Sequence, residues 1–81
     1  MKFNEWKTFT IVKLIKMREE SQDEKLKEDL NTLLTKLFYA KKRDLTTVFY
    51  LMHTIARDDN FSKILELIPS PEELEQLEEK D

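Results

Sequence analysis

The 81 residues contain no glycine, where average usage of about 7% would supply roughly six. Glycine takes positive φ freely and lets backbone approach a ligand without a Cβ in the way. Its absence therefore removes several structures together. Two-residue type I′ hairpins lose their favoured residues, and the phosphate-cradling loops of P-loop, dinucleotide-binding and kinase folds lose the backbone they are built from. No stretch alternates apolar and polar residues long enough to suggest a sheet. Helices are what such a chain can build.

A length of 81 residues allows one domain, and the balance of 40% apolar to 38% charged side chains fits a compact core under a heavily solvated surface. There is no cysteine, which excludes disulfides, thiolate catalysis and cysteine-based zinc sites; a secreted chain this small is more often stapled by disulfides, so a cytoplasmic protein is expected. The longest apolar runs, Leu37 to Ala40 and Val48 to Met52, fall far short of the ~20 residues of a membrane span. Lys7, Lys13 and Lys16 interrupt what would be the apolar region of a signal peptide. Neither a membrane nor a small-molecule substrate is implied.

The first helix is expected over residues 5–20, with Asn4 as its cap and Phe3 as a staple before it. Its apolar residues form two faces: Ile11, Val12 and Ile15 on one side, Phe3, Trp6, Leu14 and Met17 nearly opposite. A helix apolar on two sides needs two covers, either a central place in a bundle or a partner chain on the second face. Ser21 and Glu24 form an S-x-x-E capping box for a second helix over 22–41, whose Leu26, Leu30, Leu33, Leu34, Leu37 and Ala40 recur at spacings of three and four. Asp44 is placed to cap a third, with Leu45, Val48, Phe49, Met52, Ile55 and Ala56 on its core side. The polar run 57–60 ends it. Phe61, Ile64, Leu65 and Ile68 suggest a short fourth helix stopped by Pro69. Ser70, Pro71, Glu72 and Glu73 then start a short acidic C-terminal helix with little apolar surface, expected to fray or dock weakly. The fold class is all-α: a small four-helix bundle over residues 1–69 and an acidic C-terminal helix or tail over 70–81.

Charge is arranged in blocks within a net of -3. Residues 1–18 carry +4, 19–31 carry -4, 32–57 carry +4 and 58–81 carry -7. The outer side of the third helix shows Thr46, Thr47, Tyr50, His53, Thr54 and Arg57, with no carboxylate between Leu45 and Arg57. Behind the basic turn Lys41, Lys42 and Arg43, such a helix suits a nucleic-acid groove, the turn holding phosphates. The same turn is also explained as a cationic end to the second helix dipole. The acidic tail either keeps the protein in solution or competes for the basic face.

Catalysis finds little support. His53 is the only histidine, so a His-His metal pair is impossible, and neither a nucleophile nor an orienting carboxylate falls near it by spacing. The acids around residues 19–24 lack the Glu-x-x-His pattern of di-iron bundles. No enzyme activity, cofactor or metal is expected. Tyr39 and Tyr50 lie off the core faces of their helices, and Trp6 belongs to the first helix's second face; with Phe3, Leu14 and Met17 they are the candidates for a protein interface. The expected function is that of a small helical interaction module, a regulator, adaptor or inhibitor that also self-associates as a homodimer. The alternative is a nucleic-acid-binding regulator using Lys41, Lys42, Arg43, Thr46, Tyr50, His53 and Arg57.

Overall fold

The computed structural model describes residues 2–77. They form an all-α fold of helices α1 (Phe3–Glu20), α2 (Glu24–Tyr39), α3 (Leu45–Asp58) and α4 (Pro71–Gln76). A one-turn 3-10 helix, Lys42–Asp44, precedes α3, and a longer 3-10 segment, Ser62–Leu67, follows it. Glu78, Glu79 and Asp81 of the acidic tail lie outside the described residues. Among the described residues no helix is long and apolar enough to cross a membrane.

The core is assembled from neighbours in the chain: α1 packs on α2, α2 on α3, and α3 on the 3-10 segment. Leu26, Leu30, Leu33 and Leu37 supply the buried stripe of α2, with Ala40 buried just past its end; Leu45, Val48, Met52 and Ile55 supply that of α3. Each stripe follows the i, i+3, i+4 spacing of one helix face. The first helix contributes Phe3, Trp6, Thr10 and Leu14, and the 3-10 segment contributes Ile64. Phe61 to Ile68 were expected as an α-helix. Only six of those residues are helical, and they take the tighter 3-10 form between the reversal at Asn60 and the stop at Pro69.

Helix ends are built without glycine in two ways. α1, α2 and α4 stop by stepping into extended backbone at Ser21, Ala40 and Leu77, each amide donating to the carbonyl three residues back. α3 instead ends through Asn60 at φ 51, with the Phe61 amide donating to the Ala56 carbonyl at 3.0 Å. That is the left-handed reversal usually given to glycine, and asparagine is the best substitute.

The starts differ from expectation at three places. α1 begins at Phe3, which puts Asn4 inside the first turn; the Glu5 carboxylate accepts from the Lys2 amide at 3.2 Å, and Phe3 is a core residue rather than a staple. At α2 the cap is Asp23, whose Oδ1 accepts from the amides of Lys25 at 3.0 Å and Leu26 at 3.3 Å, while Ser21 Oγ accepts from the Asp23 amide. A carboxylate immediately before the helix reaches two free donors, so it displaces the serine two residues earlier. Asp44 turns backward, accepting from the Lys41 amide at 2.8 Å, and closes the 3-10 turn instead of capping α3. Ser70 behaves as expected: its Oγ accepts from the Glu73 amide at 3.2 Å, and Glu73 Oε1 accepts from the Ser70 amide at 3.1 Å. Those bonds hold the Glu73 carboxyl below its ordinary pKa.

Candidate interaction surface

Phe3, Trp6 and Leu14, read as interface candidates, lie in the chain's own core, at 3%, 7% and 0% exposure. Trp6 stacks on Phe3, ring centroids 6.2 Å apart, and meets Phe49 of α3 edge-on at 6.0 Å. Met17, next on the same face, is half-buried. The open face of α1 is the opposite one. Val12 is 59% exposed and Ile15 38%, and Ile11 packs from the same side as a half-buried residue.

The hairpin of α1 and α2 is antiparallel, joined by residues 21–23. Arg18 Nη1 donates to Asn31 Oδ1 at 2.7 Å near the loop, and Lys7 Nζ donates to the Ala40 carbonyl at 2.9 Å at the far end. The second contact satisfies a carbonyl that the end of α2 leaves open. This register sets Ile11 and Ile15 beside Leu34 and Phe38, which together line a shallow groove on the outer side of the hairpin. Phe38 is 61% exposed and Tyr39 76%, their rings edge-to-face at 5.1 Å. Tyr39 was foreseen as an exposed aromatic; Phe38 was not, although it falls on the outward side of the same leucine stripe. Phe9, also exposed, lies apart, beside Trp6 and the Leu67–Pro69 corner.

Charge is uneven along this face. The far end is lined by Lys7, Lys41 and Lys42 with no carboxylate among its lining residues. Around the loop end, Glu19, Glu24 and Glu28 stand with Arg18 and Lys27.

The other candidates sit on α3 and in the turn before it. Thr46, Tyr50, His53 and Arg57 are exposed along one stripe, and so are Lys41 and Arg43. Thr54 Oγ1 donates to the Tyr50 carbonyl at 3.0 Å. Two of the cations are engaged: Lys42 Nζ donates to the Leu77 carbonyl, and Arg57 Nε donates to Asp58 at 2.9 Å. No protein-family model, curated protein or solved structure matches the chain.

One charge cluster with a single covered carboxylate lies away from these surfaces. The Asp59 side chain, at the end of α3, is 1% exposed, and Lys25 Nζ bridges its Oδ1 at 2.8 Å and Asp29 Oδ2 at 3.0 Å. Asp59 Oδ2 is buried with no partner among the described residues. Burial, then the neighbouring Asp29 carboxyl, pushes the Asp59 carboxyl up; the neighbouring Asp59 and the hydrogen bond from Lys25 hold Asp29 down, and both carboxylates raise Lys25. The spacing of Lys25 and Asp29 announces an i, i+4 pair, whereas Asp59, 34 positions from Lys25, was read only as a helix stop. Among the described residues no three acids or histidines group as a metal site, and the cluster is a clamp between the start of α2 and the end of α3.

The raised pKa of Asp59 fixes a sign. Its contribution to stability is fully present below the unfolded value of about 3.9 and is lost as pH rises through the higher folded value. Asp29 works oppositely, stabilising above its unfolded value. Asp59→Asn keeps the shape, lets an amide donate to Asp29, and removes the buried charge. The variant is expected to melt at or above the wild-type temperature at pH 7 and to lose that margin as the pH falls toward 3.5. Thermal melts across this range check it; a lower melting temperature at pH 7 would mean that the ion pair with Lys25 outweighs the cost of burial.

Proposed function

We propose that the chain is a small helical protein-interaction module of the cytoplasm, acting as a regulator, adaptor or inhibitor through the outer face of the α1–α2 hairpin and without catalysis. One observation carries this reading: besides Phe9, which lies apart, Val12, Ile15, Phe38 and Tyr39 stay exposed on these two helices. Apolar surface gathered on one side of a soluble fold and rimmed by charge is the usual mark of a docking surface. Its aromatic members supply the anchor types that dominate interface energies.

A second reading keeps nucleic acid as the partner. It is favoured by the acid-free exposed stripe Thr46, Tyr50, His53 and Arg57, with Lys41 and Arg43 at its start. It is weakened by the pairing of Arg57 with Asp58, which sets a carboxylate against the end of that stripe.

Photo-cross-linking in cells separates the two. A benzophenone side chain at position 38 is expected to capture protein, its own copy included, and one at position 53 to capture little. Nucleic acid captured at position 53, with nothing at position 38, would replace the first reading by the second.

A further inference from the structure

The same hairpin face carries information about what covers it. Resting on the interaction reading above, we infer that its occupant is a second copy of this chain, docked face to face across a two-fold axis with the hairpins antiparallel.

Charge sets the orientation. A groove lined by Ile11, Ile15, Leu34 and Phe38 runs between a lysine end and a carboxylate-rich end. If two copies met in parallel, Lys7, Lys41 and Lys42 would face the same three lysines. Rotation by 180° in the plane of the face brings them instead to the loop end of the other copy, where Glu19 and Glu24 are shared with Arg18 and Lys27 and Glu28 has no ion pair among the described residues, twice by symmetry. An isologous contact of this kind needs one self-complementary patch, and this face has a lysine end and an end with an excess of carboxylate on either side of an apolar middle.

The size is adequate. Helices of 18 and 16 residues at 1.5 Å per residue and about 9 Å apart present roughly 500 Å² in projection, before side-chain relief is counted. That is the same order as the ~800 Å² per partner of a standard interface. The cover also accounts for the two-sided pattern of α1: one face is buried in the chain's own core, where Trp6 meets Phe49, and the other is closed by the second copy.

Sedimentation equilibrium of the full chain, up to about 1 mM, tests self-docking. The expected result is a reversible monomer–dimer equilibrium that Phe38→Asp weakens by at least about tenfold. Because Phe38 is exposed, that variant keeps the wild-type helical signal, and its melting temperature matches the wild type's at concentrations where both are monomers, which separates lost docking from lost folding. Orientation is read from spin-label distances in dimers carrying a single label, at position 12 near the middle of α1 or at position 4 near its lysine end. In the antiparallel dimer the position-4 labels lie farther apart than the position-12 labels, by about 10 Å or more given a 12 Å axial offset per copy.

A monomer throughout, or a dimer indifferent to Phe38→Asp, overturns self-docking. Position-4 labels as close as position-12 labels overturn the antiparallel arrangement. A monomer that still cross-links another protein from position 38 would overturn this inference alone; absence of any protein cross-link there would overturn the interaction reading beneath it.

Discussion

Trp6→Ala is expected to remove about 3–5 kcal/mol of stability, the range for emptying a large aromatic site in a core. The indole is 7% exposed and bridges Phe3 within its own helix to Phe49 across on α3. Its loss opens the seam between the first and third helices as well as leaving a cavity. Small domains sit near the low end of the usual 5–15 kcal/mol, so the variant approaches the limit of folding. At about 4–8 °C per kcal/mol for a chain of this size, the melting temperature falls by more than ~12 °C. Helical circular dichroism during heating measures it, and Trp6→Phe, which keeps a ring in the site, loses less. A shift of only a few degrees would place Trp6 back on the surface.

Leu77→Ala carries the second-largest effect, about 2–5 kcal/mol by the same reasoning. Leu77 is 4% exposed and belongs to the core cluster, while its carbonyl accepts from Lys42. A helix as short as the six residues of α4 does not stand without packing, so emptying this site releases α4. Urea unfolding should show a lower midpoint, and limited proteolysis should cut between residues 69 and 76 before anywhere in α2. Leu74→Ala, at a half-buried position, is the milder comparison. Equal resistance of wild type and Leu77→Ala to protease would mean that α4 is held by its capping box alone. Ending the chain at Ile68, the direct way to remove the tail's charge, would delete this core side chain as well.

The elements whose pattern was legible are those with a single apolar face. α2 and α3 each repeat leucine, valine, methionine or isoleucine at three and four, and those residues are the buried ones. Ser70, Pro71 and Glu73 together admit one reading, a capped helix start, and that start is present. For α1 the sequence offered two apolar faces and no means of ranking them. The choice rests on contacts between helices, such as that of Phe49 with Trp6, and spacing along one helix carries no trace of a contact across two. The interface candidates inherited that ambiguity, which is why Phe3, Trp6 and Leu14 moved into the core while Val12, Ile15 and Phe38 emerged on the surface. Asp59 was opaque for a similar reason, since its burial depends on how the end of α3 meets the start of α2. At α2 two capping side chains stood two residues apart, and only backbone geometry selects Asp23.

The order of packing along the chain also bears on how the fold is reached. Each helix through α3 finds its main neighbour in the next segment of sequence, so most loops closed on the way to the native state are short and entropically cheap. Chains wired in this manner fold rapidly, in the microsecond-to-millisecond range of small helical proteins. The longest closure in sequence is the one that brings the Leu67–Pro69 corner beside Trp6 and Phe9. It belongs to the final step, when the α1–α2–α3 core already exists to receive it.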